Sequence, residues 1–484
     1  MKFQSTRGLE QGVASAEAIL RGIAKDGGLY VPESFPNLYD SLKKEKGLSY
    51  EELAFKVIKE YFTDIDENDL MSAINDAYNN RFDVKVEKGF LELYHGPTCA
   101  FKDAALLFLP QIMKRARKAL GVNDEVVILT ATSGDTGKAA LEGFKDVEGF
   151  KVVVYYPKNG VSAIQERQMA TQEGKNVKVF GINGNFDNAQ TGVKEIFGDE
   201  EFKAELAKDG IRLSSANSIN IGRLVPQIVY YFYGYFKLVE QGVIKEGEEI
   251  NVVVPTGNFG NILASHYAKE MGLPIHKFIC ASNENKVLTD FFQTGTYDKR
   301  RELVLTESPS MDILVSSNLE RLLFEACGRN GEEVKSLMES LNNGGVYKVS
   351  EKIASFMNEF YGNYANIDEV YAEIKEMYTK EGYLMDTHTG VAKVVYNKYK
   401  KETGDDRKVL IASTASPYKF PRSICKALDI NVENLNDFEV VKELNKETNV
   451  EIPKNLRDLD KKEILHNEVW DKDEMKKALL SYLK

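Results

Sequence analysis

Val126–Phe144 reads VVILTATSGDTGKAALEGF. The β-rich run 125-EVVILT-130 ends in Thr132, Ser133, Gly134, Asp135, Thr136 and Gly137, and an alanine-rich helical pattern follows. A strand, a glycine-containing turn and a helix together present backbone N–H groups and a helix N-terminus to an anion. Serine and aspartate also cap helices routinely. Two glycines and three hydroxyls in six residues nonetheless exceed what a cap requires.

The same texture recurs beyond about position 90. The runs 151-KVVVYYP-157, 176-NVKVFGI-182, 250-INVVVP-255, 276-HKFICAS-282 and 408-KVLIAST-414 are short and β-rich, and most lead through Gly, Asn or Ser into a helical pattern. Such alternation implies parallel strands buried on both faces. The expected fold class is therefore α/β, with two parallel-sheet lobes flanked by helices and an additional helical N-terminal segment. The expected boundaries are a mostly helical domain over 1–90, a two-lobed region over 91–428 and a helical tail over 429–484. Within the middle region the second lobe covers roughly 118–220, and a helical insertion covers about 319–380.

Composition narrows the class of protein. With 484 residues, 43% hydrophobic and 28% charged, the chain reads as an ordinary globular protein of more than one domain. No apolar run reaches the roughly 18–20 residues of a membrane span. The opening MKFQSTRGLEQG lacks the apolar region of a secretory signal, so the expected location is cytoplasmic, with no membrane partner. A net charge of −11 argues against nucleic acid as a partner and requires that any anionic ligand be met by local donors. The four cysteines form no CxxC pair and read as free buried thiols. The five histidines form no HExxH arrangement, so no metal site is expected.

Four further stretches carry candidate chemistry. In 95-HGPTCAFKDAALLFLP-110, Lys102 precedes helically spaced Ala105, Leu106 and Leu109, with no acid at positions 98, 99, 105 or 106 to pair with it. If Thr98 caps a helix beginning at Cys99, Lys102 lies in the first turn, where positive charge is disfavoured. Partial burial lowers its pKa further, and a neutral lysine is a nucleophile suited to Schiff-base formation with an aldehyde. A lysine with a buried stem and a solvated ammonium fits the local pattern equally well. In 252-VVVPTGNFGNILASHYAKEMG-272, Gly257, Asn258, Phe259, Gly260 and Asn261 form a turn whose successive N–H groups suit phosphate oxygens, or an ordinary Asn-Gly turn. The run 409-VLIASTASPYKFP-421 ends a strand in Ser413, Thr414 and Ser416, with Lys419 as the nearby cation. The run 214-SSANSINIGRLVPQIVYYFYGYF-236 carries Asn217, Ser218 and Arg223, the last at a helix start where a cation is unfavourable unless it binds an anion.

Taken in order, HGPTCAFKDAA, TATSGDTGKAA, SANSINIGRL and PTGNFGN resemble the motifs of threonine synthases, pyridoxal-phosphate enzymes of the tryptophan synthase β-type fold (fold type II). The segment 26-DGGLYVPESFP-36 resembles that family's opening, and the resemblance covers most of positions 1–425. It implies that Lys102 carries pyridoxal 5'-phosphate and shuttles protons, and that Gly257, Asn258, Phe259, Gly260 and Asn261 cradle the cofactor phosphate. Asp135 would face the phenolic oxygen and Thr414 the pyridine nitrogen. Thr132, Ser133 and Thr136, together with Asn217, Ser218 and Arg223, would hold the anionic groups of O-phospho-L-homoserine. The family converts that substrate and water to L-threonine and phosphate, the last step of threonine biosynthesis. The rival readings are a serine/threonine dehydratase or cysteine synthase of the same fold, and a noncatalytic pyridoxal-phosphate-binding relative. The run 415-ASPYKF-420 departs from the His-Pro-Ala of many relatives and leaves Lys419 without a role. A monomer or homodimer is expected.

Overall fold

Each β-rich run read from the sequence forms a strand: Glu125–Ala131, Phe150–Pro157, Val177–Asn183, Ile250–Pro255, Ile275–Ser282 and Val409–Ser413. The computed structural model describes residues 1–45, 47–132 and 134–483, so the expected contact at Ser133 lies outside the described residues. The strands divide between two sheets. One has the order Phe360–Tyr364, Ile275–Ser282, Ile250–Pro255, Val409–Ser413, Phe90–His95, Asp83–Glu87, and is parallel except for its last pair. The other has the order Val469–Asp471, Val177–Asn183, Phe150–Pro157, Glu125–Ala131, Ile211–Ser214, and is parallel throughout.

Side-chain alternation explains why both sheets are covered on two faces. In the five-stranded sheet Val126, Ile128, Val152 and Val154 enter one core, while Val127, Leu129, Val153 and Tyr155 enter another. In the six-stranded sheet Val252, Val254 and Phe278 join that first core, and Val253, Ile279 and Ile411 face a third. One core therefore takes a face from each sheet, and it also holds the N-terminal helices and the helix Ile221–Glu240. No helix among the described residues is long and apolar enough to cross a membrane.

Three segments read as helical also hold strands. Asp83–Glu87 and Phe90–His95 are strands of the six-stranded sheet, and Phe3–Ser5 pairs antiparallel with Tyr30–Pro32, so the N-terminal segment is not purely helical and gives way to the sheet before position 90. The interval 319–380 contains Val346–Lys348 and Phe360–Tyr364, the second being the edge of the six-stranded sheet. Its sequence FYGNY mixes Gly and Asn with aromatics, which weakens the β signal at an edge where pairing is needed on one side only. The tail likewise adds the edge strand Val469–Asp471 before the helix Met475–Leu483 buries Met475, Ala478 and Leu479. A three-residue edge strand with exposed side chains needs no apolar alternation, so its sequence does not announce it. Before reaching that edge, the tail donates from Asn455 to the Gly96 carbonyl at 3.3 Å and from the Leu465 amide to the Ala170 carbonyl at 2.8 Å.

The contact that seats the segment after Lys102 is unusually close. A Cβ on Gly143 would lie 1.9 Å from the Leu106 carbonyl oxygen, so only glycine lets the helix Asp135–Phe144 approach there. Gly143→Ala is expected to lower stability by about 1–3 kcal/mol through overpacking. Gly198→Ala, where nothing lies within 4 Å of the added atom, is expected to stay within about 0.5 kcal/mol of the parent. Urea denaturation of both variants checks the contrast.

Candidate active site

Lys102 lies where the strand Phe90–His95 hands over to a short helix. That helix spans Asp103–Leu106 with Lys102 at its N-cap, and it does not begin at Cys99. Cys99 has φ 59°, and the Thr98 amide and hydroxyl donate to the Asp103 carboxylate at 2.9 and 2.7 Å, so Thr98 is held by Asp103 and caps nothing. Pairing with the end of Val409–Ser413 fixes the segment. Ala100 bridges Ala415, the Phe101 amide donates to the Thr414 carbonyl at 2.8 Å, and the Ser416 amide donates to the Cys99 carbonyl at 3.1 Å. Thr414 is thereby set beside Lys102 through the main chain.

The Lys102 amine donates to Ser310 Oγ at 3.0 Å. Burial pushes its pKa down to about 8; Asp135 opposes this, and the Arg223 and Lys419 cations reinforce it. Ser310 sits in the loop Pro309–Met311, whose anchor is Asp312: its carboxylate accepts from Asn283 at 2.8 Å, from Asn285 at 2.9 Å and from the Thr306 hydroxyl at 2.7 Å. Nothing in the sequence signals Ser310, because its role depends on a loop reached more than 200 residues after Lys102.

Asp135 opens the helix Asp135–Phe144 behind Gly134, which has no side chain to cap it. Its carboxylate instead pairs with Lys419 at 2.7 Å and accepts from Gln165 at 3.0 Å. Burial alone raises the Asp135 pKa, but Lys419, then Lys102, and the hydrogen bonds from Lys419 and Gln165 overcome it and hold the group below the usual carboxylate range. Lys419 is fully buried, and it also donates to Gln168 Oε1 at 2.7 Å and to the Thr98 carbonyl at 3.2 Å. The cation that the sequence left without a role is thus the counter-ion of Asp135.

Two of the expected anion contacts have the electrostatics of an anion site. Arg223 is buried in the first turn of Ile221–Glu240; its Nη1 donates to the Ala216 carbonyl at 2.7 Å and its Nε has no partner among the described residues. Burial pushes the guanidinium down to about 10, and no carboxylate offsets it among the described residues. An unpaired buried cation is costly unless a ligand neutralises it. The turn from Gly257 to Asn261 ends at the helix Gly260–Glu270, with Phe259 in the left-handed region at φ 66°. A Cβ on Gly257 would lie 2.5 Å from the Ser310 carbonyl oxygen, so glycine is required there for the loop to meet Ser310. Asn261 Oδ1 accepts from the Tyr230 hydroxyl at 2.8 Å and from Tyr231, while its buried Nδ2 has no partner among the described residues. The Asn258 carbonyl accepts from Asn318 Nδ2 at 2.9 Å, and that same amide reaches the Ser218 carbonyl at 3.4 Å, tying this turn to the Arg223 segment.

The remaining expected contacts are placed differently. The Thr132 hydroxyl accepts from the Gly134 and Gly137 amides at 3.0 and 2.9 Å and donates to the Gly134 carbonyl at 3.1 Å, so it braces the turn with its proton already spent. Thr136 is half-buried in the first turn of its helix, Asn217 is exposed, and Ser218 is half-buried beside it. Cys99 is buried near the site with its thiol pushed up to about 12 by burial, and all four cysteines are free.

A nucleophilic amine, a glycine turn at a helix N-terminus and unpaired buried donors at Arg223 and Asn261 suit an aldehyde bearing a phosphate, so the residues present fit pyridoxal phosphate. Family models agree. "Threonine synthase N terminus" matches residues 2–78, and "Pyridoxal-phosphate dependent enzyme" matches residues 90–414. Threonine synthase-like 1 from Homo sapiens is 41% identical over 440 residues; the match covers 87% of this chain and 58% of that protein, so the chain spans little more than half the length of these relatives. Threonine synthase from Pseudomonas aeruginosa is 37% identical over 438 residues, covering 88% of this chain and 90% of that one. The crystal structure of pyridoxal-phosphate-bound threonine synthase from Brucella melitensis superposes with a TM-score of 0.87 at 34% identity, covering 100% of this chain and 99% of that one. By sequence, by fold and by the residues gathered around Lys102, the chain belongs to the threonine synthase family of pyridoxal-phosphate-dependent enzymes.

Proposed function

We propose that this chain is a threonine synthase, a lyase that converts O-phospho-L-homoserine and water to L-threonine and phosphate. The observation that carries the reading is the Lys102 amine, lowered to about 8 and lying within the influence of the buried, unpaired Arg223. Pyridoxal phosphate would be held by Lys102, by the turn Gly257, Asn258, Phe259, Gly260 and Asn261, and by Asp135 and Thr414. When bound it supplies an electron sink that lets protons leave carbons beside the substrate amine. Lys102 would take and return those protons, and the Ser310 hydroxyl gives its amine a resting point at 3.0 Å. Its flexible four-carbon stem allows one amine to serve more than one carbon. Asp135 stays a carboxylate because Lys419 faces it, so it acts as an acceptor in the site and not as an acid. Arg223, with Ser218 and Asn217 beside it, would bind the substrate phosphate, and Thr136 with its helix N-terminus would meet the carboxylate. The reading extends to a cytoplasmic enzyme acting as a monomer or homodimer, which rests on sequence alone.

Incubation of the holoenzyme with O-phospho-L-homoserine is expected to release L-threonine and phosphate in equal amounts. A 2-oxo acid in place of threonine would return the chain to the dehydratase reading, and cofactor binding without turnover to the noncatalytic one. Arg223→Gln is expected to raise KM for the substrate ~30-fold, equivalent to about 2 kcal/mol for a lost buried charge contact, with cofactor absorbance retained. Cofactor-free protein is expected to capture pyridoxal phosphate at a rate that rises with pH through a midpoint near 8, as the Lys102 amine loses its proton. An unperturbed lysine would still be gaining neutral amine near pH ~10.4. Lys419→Met is expected to cost about 3–5 kcal/mol by stranding Asp135, and the double variant Asp135→Asn/Lys419→Met to cost less; urea denaturation measures both.

A further inference from the structure

His388 and Asp386 lie behind Ser310 and have no part in the chemistry described so far. Asp386 caps the helix Thr387–Thr403, its carboxylate accepting from the His388 and Thr389 amides at 3.0 and 3.1 Å. Neither residue is solvated: Asp386 is fully buried and His388 is 2% exposed. His388 Nδ1 lies 2.6 Å from the same carboxylate. A carboxylate is acceptor-only, so Nδ1 carries a proton, and the bond that Nε2 accepts requires a lone pair there. That lone pair meets a donor: the Ser310 amide points at Nε2 at 3.3 Å. The hydroxyl of the same serine receives the Lys102 amine at 3.0 Å, and its carbonyl is the surface against which Gly257 packs.

A histidine used only to fill space could adopt either tautomer. Here the tautomer is fixed by Asp386 and its acceptor is spent on a residue that touches both Lys102 and the Gly257 turn. We infer that Asp386 and His388 form a positioning pair for the reaction: they lock the Ser310 main chain, and through the Ser310 hydroxyl they hold the Lys102 amine where it must act. The pair moves no proton and touches no reacting atom. Asn283 and Asn285 fix the same loop from the other side through Asp312, so Ser310 is clamped between two networks. Misplacing a reacting group by about 1 Å costs on the order of 100-fold in rate, which sets the scale of the effect.

The inference rests on Lys102 being the reacting amine of the proposed function, and its test is built to fail separately. Two rates are measured on full-length protein: capture of pyridoxal phosphate by the cofactor-free form, followed by absorbance, and kcat with O-phospho-L-homoserine. Ser310→Ala, which keeps the main chain and lies in a half-buried loop, is expected to slow both by roughly 10–100-fold. His388→Leu is expected to do the same with KM changed less than about threefold, because the anion-binding residues are untouched. His388→Gln, which offers an acceptor to the Ser310 amide, is expected to recover most of the loss. In the double variant Ser310→Ala/His388→Leu the losses are expected not to multiply, since both act through one hydroxyl. Multiplying losses, or a His388→Gln variant as slow as His388→Leu while Ser310→Ala is slow, would overturn the positioning role. A Ser310→Ala variant as fast as the parent in both assays would overturn it even if His388 variants fail to fold. If the parent makes no threonine yet captures cofactor in the predicted order of variants, the threonine synthase reading fails and the positioning pair stands.

Discussion

The Arg223 and Lys419 cations both act on the Lys102 amine, and the carboxylate of Asp135 pairs directly with Lys419 alone among the three. This imbalance governs the rest of the site. Burial raises the cost of charging the Lys102 amine, and the Arg223 and Lys419 cations add to that cost. Arginine cannot deprotonate in this range and Lys419 is committed to Asp135, so the relief falls on Lys102. An acidic chain of net charge −11 can thus hold a locally positive balance at Lys102, where the Arg223 and Lys419 cations outnumber the Asp135 carboxylate.

The fold supplies this arrangement by convergence of loops at the carboxyl ends of parallel strands. Lys102 follows Phe90–His95, the turn at Gly257 follows Ile250–Pro255, Thr414 follows Val409–Ser413, and Asp135 follows Glu125–Ala131 in the other sheet. The ion pair between Asp135 and Lys419 therefore joins segments that leave different sheets. Asn318 performs a similar service among neutral groups, reaching both the Gly257 turn and the segment leading to Arg223. Removal of a partner from such joints strands a buried polar group, which is more damaging than the modest net energy of the bond suggests.

Much of this was legible in the sequence. Central strands are buried on both faces and must be β-rich, so Glu125–Ala131 or Ile250–Pro255 stand out as runs. Edge strands are freed from that requirement, and Phe360–Tyr364 and Val469–Asp471 were hidden among charged and helix-prone neighbours. Lys102 was conspicuous because it lacked a local acid, whereas the glycine turn, which alone reads equally as an ordinary Asn-Gly turn, stood out only with the other motifs in order. The Thr98 cap failed for a long-range reason: pairing of Ala100 with Ala415 displaces the helix start to Asp103. Ser310, His388 and the partnership of Lys419 with Asp135 arise from contacts between residues 78 to 284 positions apart, from about His388–Ser310 to Lys419–Asp135, and no local pattern encodes them.

The central claim is that Lys102, and not the more deeply buried Lys419, is the amine that the site prepares for an aldehyde. Borohydride reduction of the cofactor-loaded protein followed by peptide mass spectrometry tests it directly. The account predicts a stable phosphopyridoxyl group on the peptide containing Lys102 and on no other lysine. A label on Lys419, a label scattered over surface lysines, or no label on a protein that binds the cofactor would contradict it.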